Sequence, residues 1–228
     1  AIPQLTDIEL TDQGIRIGSM VTFSRIARHD AIKESWTALA EAAASVAAPQ
    51  VRNKATIGGN VANGAVAADS VPALMALGAV ATLVSQKGER QVAVSDLMLD
   101  LNKTDIREDE LLTTFFIPRQ NVISAFEKIG RRKAQAISRI CLGLVLEMEA
   151  GKVKAAQIAV GAAGRRAYLC PDVSALLIGK ELDQVTISQA ALALDNKVAD
   201  VLGDRPTAPY KRAIAGASLE KALQRLGE

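Results

Sequence analysis

The chain has 228 residues, 49% of them apolar, with 27 basic against 25 acidic side chains and a formal net charge of +2. That is enough apolar material for one core or two modest ones, while the near-balance of charge and an aromatic content of 3% argue against a nucleic-acid surface, which needs a basic footprint and stacking platforms. A single histidine and two cysteines far apart, with no CxxC, leave neither a histidine-based triad nor ligands for zinc or an iron–sulfur cluster, and two lone thiols suit a reducing, cytoplasmic setting.

In chain order, Ile15–Ser19 after the turn at Asp12–Gly14 predicts a short strand. Thr22 is placed to cap a short helix through Phe23, Ile26 and Ala27. Ser35 is placed to cap a second, from Trp36 to about Ala47, stopped by Pro49. The stretch ATIGGNVAN, residues 55–63, sets two glycines side by side with almost no bulk around them and is read as a loop. After Asp69, SVPALMALGA has Pro72 where a first helical turn tolerates it and Gly78 where a helix ends. AVATLVS and RQVAV around QKGE predict a hairpin, and LLTTFFIP a further strand closed by Pro118. A break comes at about residues 119–121, and ISAFEKIGRR opens the second part. Ser138–Met148 and Val153–Val160 form the arms of a long hairpin. Poor alternation on its first arm implies a face packed on helices rather than on water. From Pro171 the pattern is helical, through PDVSALLIG and SQAALALDNKVADVL to a closing helix with a stripe of Ala213, Ile214, Ala217, Leu219, Ala222 and Leu223. The expected fold class is α+β, in two units covering 1–119 and 120–228. No apolar run approaches the ~20 residues of a membrane span, so no membrane partner is expected.

Paired glycines usually mark a tight turn or a bulge. Here Gly58 and Gly59 lack Cβ atoms, so the backbone can approach a ligand and present several N–H donors together. Asn60 and Asn63 add amides, and Asp69 adds a carboxylate of the kind that accepts from ribose hydroxyls. Ala62, Ala65, Ala67 and Ala68 keep bulk away. The pattern is that of a nucleotide-diphosphate cradle, though it is neither a G-x-G-x-x-G fingerprint nor a P-loop.

The stretch PQVRNKATIGGNVANGAVAADSVPALMALGA strongly resembles the second flavin-binding segment of the FAD subunits of molybdenum hydroxylases, a family that includes the medium subunits of bacterial xanthine and carbon monoxide dehydrogenases. DELLTTFFIP, FEKIGRRKAQAIS and GDRPTAPYKRAIAGASLEKAL resemble later pieces of the same family, in the same order. The resemblance implies a vanillyl-alcohol-oxidase-like FAD-binding domain followed by a small C-terminal domain of antiparallel strands and helices. It also implies FAD as cofactor, held by Thr56, Ile57, Gly58, Gly59 and Asn60 along the pyrophosphate and flavin, with Asn63, Asp69, Leu112 and Lys128 as further contacts. The implied function is an oxidoreductase subunit of xanthine dehydrogenase type. Its implied partners are a molybdopterin-containing large subunit, a [2Fe-2S] small subunit, and NAD or another acceptor. The alternatives are an assembly subunit that has lost FAD, and the flavoprotein subunit of a carbon monoxide dehydrogenase-type relative.

Plainer roles compete residue by residue. Ile57 and Leu112 suit a core, Asp69 suits an N-cap for the helix from Ser70, and Lys128, Arg131, Arg132 and Lys133 suit a solvated basic face. Trp36, Cys141 and Cys170 are expected in the core. Ala136 stands where the family often has Asp, and AIPQLTDIEL aligns with the segment just after the family's first glycine loop, so that loop is expected to be missing from this chain.

Overall fold

The computed structural model describes residues 2–132 and 135–227. A 3-10 turn at Pro3–Leu5 leads to strands β1 (Ile8–Leu10) and β2 (Gly14–Gly18). Six helices come next: α1 (Phe23–Arg28), α2 (Asp30–Ser35), α3 (Thr37–Ser45), α4 (Pro49–Arg52), α5 (Ile57–Ala62) and α6 (Ser70–Ala76). The hairpin of β3 (Val80–Ser85) and β4 (Gly88–Ala93) leads through α7 (Val94–Leu97), β5 (Met98–Asp100) and β6 (Lys103–Thr104) to β7 (Leu111–Pro118). The second part comprises β8 (Ile123–Gly130), β9 (Ser138–Glu149), β10 (Lys152–Gly161), β11 (Tyr168–Leu169), α8 (Pro171–Ala175), α9 (Gln184–Leu202) and α10 (Ala208–Gly227).

One antiparallel sheet has the order β1-β2-β7-β3-β4 and another the order β11-β10-β9-β8. In the first, Ile15 pairs with Ile117 and Ile17 with Phe115, while Arg16 between them stays exposed. Strand alternation thus puts the apolar side chains on one face, in a core shared with Phe23, Ile26, Leu39 and Leu74 from the helices.

The second sheet joins the two halves. On β9, Ile140, Leu142, Leu144 and Leu146 enter a core with α9 and α10, whereas Cys141 and Val145 enter the core of the first sheet. Both faces of β9 are covered, which is why its sequence does not alternate. Between them lies Gly143, where an added Cβ would stand 2.6 Å from the Pro72 carbonyl oxygen of α6. A Cβ on Gly161 would stand 2.8 Å from both Pro72 Cγ and Cys141 Sγ. Small residues on the sheet therefore seat α6 directly on it.

The expected hairpins and both long C-terminal helices are present. The helix expected to start after Ser35 differs. Ser35 ends α2, a helix with no counterpart among the expected elements, and Trp36 interrupts the helix at φ −132° before α3 begins. The Trp36 indole is 2% exposed and donates to the Pro118 carbonyl at 3.2 Å. That tertiary anchor outweighs the capping preference of Ser35. The glycine stretch also differs: it is helical rather than a loop, forming α5, and Gly64 at φ +61° closes it. No helix among the described residues is long and apolar enough to cross a membrane.

Candidate functional site

Thr56 starts α5 from an extended backbone, and its Oγ1 accepts the Gly59 N–H at 3.2 Å. The two glycines serve different purposes. A Cβ on Gly58 would lie 2.5 Å from Ser19 Cβ and 2.7 Å from Ser19 O, and the Gly58 N–H donates to that carbonyl at 2.8 Å. Gly58 is therefore required by packing against the end of β2. A Cβ on Gly59 would meet only the Thr56 hydroxyl, at 3.1 Å, so the outer side of the turn is open there.

The expected array of backbone donors is not what the turn offers. Ile57 N–H donates to Val21 O at 3.0 Å, Asn60 N–H to Thr56 O at 3.0 Å, and the two glycine N–H groups are engaged as described. A short helix tied to β2 uses its own amides to fix the turn. What remains toward solvent is side-chain chemistry. The Thr56 hydroxyl keeps its proton for donation. Asn60 accepts Ser70 Oγ–H at 2.7 Å through Oδ1, which leaves its NH2 group to donate. Asn63 is exposed at the far end of α5.

Ile57 is 0% exposed and belongs to the core. Leu112 is half-buried on β7, pairs with Leu83 and packs against the same core. Its neighbour Thr113 accepts the Ser19 N–H through its carbonyl at 2.8 Å, so this strand backs the glycine turn.

Asp69 precedes α6 but makes no cap hydrogen bond. It is 6% exposed, and its Oδ2 lies 2.5 Å from Lys128 Nζ. Ser138 Oγ donates to Oδ1. Burial pushes the Asp69 carboxyl above the ordinary carboxylate range, against the pull of Lys128 and Ser138. Lys128 Nζ also donates to the Ser45 carbonyl at 3.0 Å. Lys128 is thus held by two protein partners rather than lying on a solvated face.

Lys128 and Ser45 line a cleft of about 750 Å³ together with Ala47, Arg52, Arg131 and Arg132. Ala47 sits at φ +40°, and Arg52 Nη1 donates to the Val46 and Ala47 carbonyls at 2.9 and 2.8 Å, holding this wall in shape. A smaller cleft of about 390 Å³ adjoins it, sharing Arg131, Arg132, Gln135 and Ala136. Ala136 presents a methyl group to both. Lys133 lies outside the described residues.

The structure therefore brings Thr56–Asn60, Asp69 and Lys128 into one connected set, with Ile57 and Leu112 behind it and Asn63 at its edge. Sequence reasoning missed Ser45, Arg52 and Ser138. Arg52 stands inside the motif that drew attention to the glycines, whereas the two serines carry no local signal. Both thiols are buried and free, and desolvation raises them, Cys170 to about 12, so neither is a ready nucleophile.

Residues 1–120 match the family model "FAD binding domain in molybdopterin dehydrogenase", and residues 124–226 match the "CO dehydrogenase flavoprotein C-terminal domain". The nicotinate dehydrogenase FAD-subunit of Eubacterium barkeri is 32% identical over 92% of this chain and 73% of its own. The xanthine dehydrogenase FAD-binding subunit of Escherichia coli O157:H7 is 32% identical over 74% of this chain and 59% of its own. A crystal structure of the Cu,Mo-CO dehydrogenase in its cyanide-inactivated form superposes with a TM-score of 0.90 at 29% identity, over 98% of this chain and 79% of that one.

These matches define a two-part flavin-binding subunit. The chain belongs to the family of FAD-binding medium subunits of the molybdenum hydroxylases, and FAD is its cofactor. It is an oxidoreductase subunit, with relatives named for nicotinate, xanthine and carbon monoxide alike.

Proposed function

We propose that this chain, working as units 1–119 and 120–228, relays electrons within a molybdenum hydroxylase. They arrive from a [2Fe-2S] small subunit and leave to an acceptor such as NAD. A molybdopterin-containing large subunit would hydroxylate a carbon of an aromatic heterocycle or aldehyde, as in enzymes of xanthine dehydrogenase type. The observation that carries this reading is the chain of contacts from the glycine turn through Ser70 and Asp69 to Lys128, which lines a cationic cleft between the α3–α4 segment and β8.

The residues fit the cofactor. A diphosphate and a flavin need cationic and amide donors, an opening without side-chain bulk, and shelter from water. When bound, FAD supplies the redox chemistry. The protein's part is binding and electrostatics. Thr56 and the Asn60 and Asn63 amides would donate to the diphosphate across the open side at Gly59. Ile57 and Leu112 would back the turn and keep it rigid. Lys128, with two of its three N–H bonds assigned, would turn the third to the cofactor. Arg52 would shape the wall beside it.

Gly59→Val in the full-length protein tests the reading. It should strip FAD, read as lost visible absorbance, while the circular dichroism spectrum stays unchanged. Full flavin content in that variant would sink the assignment of the turn. An assembly subunit without flavin is favoured by the methyl group of Ala136 alone, and it predicts a colourless full-length protein.

A further inference from the structure

Asp69 was expected to receive a ribose hydroxyl, but the structure surrounds it with donors from the protein. The groups facing its carboxylate are the Lys128 ammonium from β8 and the Ser138 hydroxyl and Cys141 thiol from β9. The carboxylate is buried at 6% exposure, whereas the Lys128 side chain, at 14%, reaches the cleft. Ser138 is itself buried, at 6% exposure, at the first position of β9. A carboxylate accepts along about four lone-pair directions, and two donors from two strands, one on each oxygen, fix its orientation. The ammonium it holds is fixed in turn, because Ser45 O on α3 supplies a second acceptor at 3.0 Å. The order of contact is Ser138, Asp69, Lys128, cleft.

We propose that Ser138 is a positioning residue for the cofactor, acting through Asp69 to set where Lys128 places its charge in the cleft. Asp69 on this view holds the lysine in place. The inference rests on the reading of the cleft as the FAD site. Its physical content is that a serine hydroxyl two contacts from the cofactor controls how tightly, and over which pH range, the cofactor is held. Removing the Ser138 donor takes a hydrogen bond from the ionised form of Asp69, which makes that carboxyl easier to protonate. As pH falls and Asp69 takes up a proton, Lys128 loses its counter-ion and its fixed position. The grip on an anionic cofactor then loosens at higher pH than in the natural protein.

The test is FAD titration into the full-length apoprotein across a pH series, with Ser138→Ala, Ser138→Thr, Lys128→Met and the Ser138→Ala/Lys128→Met double variant. Ser138→Ala should weaken FAD binding about tenfold at neutral pH, the size of one charge-assisted hydrogen bond. It should also move acid-induced FAD release up by about one pH unit. Ser138→Thr keeps the hydroxyl and should restore both. In the Lys128→Met background Ser138→Ala should add nothing, because its effect runs through the lysine. If Ser138→Ala fails to fold, Ser138→Cys keeps the volume with a weaker donor and should fall between the natural protein and the loss expected of alanine. Two results overturn the inference: an unchanged affinity and pH profile, or an equal loss in the Lys128→Met background, which would make the role of Ser138 purely structural. A natural full-length protein that never takes up FAD overturns the underlying reading as well, and is distinguished because no variant is needed to see it.

Discussion

Asp69 and Glu110 both accept from a cation at hydrogen-bond distance, yet their surroundings push their acidities in opposite directions. Arg90 on β4 grips Glu110 at 2.7 and 2.9 Å and Asp105 at 2.7 Å, tying the edge of the first sheet to the segment ahead of β7. The Arg90 hydrogen bonds hold the Glu110 carboxyl down at about 2. At Asp69 burial is the larger influence and the carboxyl is raised. Arg90 offers a planar fork with matched acceptors on both sides, so that cluster is closed and self-sufficient. Lys128 offers a point charge whose third N–H has no partner among the described residues, at the edge of a cleft. The Arg90 cluster satisfies itself, whereas the Lys128 cluster keeps a donor in reserve, as the proposed role requires.

The widest separation between the two clusters should come from cutting each on one side. Asp69→Ala leaves Lys128 largely buried without its counter-ion and should cost about 3–5 kcal/mol, read by denaturant unfolding. Arg90→Ala strips a partner from Asp105, 44% exposed, and from Glu110, 5% exposed, but Glu110 keeps the Arg107 N–H and the Arg107 side chain beside it, so the loss by the same measurement should be smaller. A larger loss from Arg90→Ala than from Asp69→Ala would reverse that order and show that the Arg107 contacts do not sustain Glu110.

Replacing the whole pair sharpens the difference between stability and function. In Asp69→Leu/Lys128→Met, apolar side chains of similar length replace a buried ion pair, and such exchanges are often neutral or stabilising. Unfolding free energy should recover most of what Asp69→Ala loses, while FAD binding stays as weak as in Lys128→Met alone. Retained FAD in this double variant would show that the lysine charge does not reach the cofactor.

Much of this architecture is legible in the sequence, and the exceptions have a common cause. The hairpin at Val80–Ala93, strand β7 and the long helices announce themselves through local period and turn residues. The break at Trp36 does not, because it depends on a carbonyl at Pro118, far along the chain. The glycine pair stands out in the sequence as unusual. Its explanation is half hidden there, since Gly58 answers to Ser19, on a segment that nothing local connects to it. Ser45 and Ser138 are invisible for the same reason. Ser45 offers only its main-chain carbonyl, which any residue there would supply, and a serine such as Ser138 has no meaning as a site residue until the fold places it against a buried charge. Asp69 and Lys128 can both be named from the sequence, but only the structure shows that they are each other's partners.

Acid titration should separate the two clusters by the sign of a slope rather than by a magnitude, and is the subtlest of these tests. Stability rises with pH wherever the unfolded chain holds more protons than the native one. Glu110 titrates near its ordinary 4.5 when unfolded and at about 2 when folded, so between those values the unfolded chain holds the extra proton. Its contribution is complete above the upper value and is lost as pH falls toward the lower. Asp69 is raised in the folded state from 3.8, so above that value the native chain holds the extra proton and its contribution declines as pH rises. Glu110→Gln should therefore flatten the acid limb of a Tm–pH curve relative to the natural protein. Asp69→Asn should instead remove a decline on the other side, leaving the variant relatively better off toward neutral pH than in acid. Both variants changing the slope in the same direction would mean that Lys128 outweighs burial at Asp69. The carboxylate would then be an ordinary fastened one, and the contrast between the two clusters would fall.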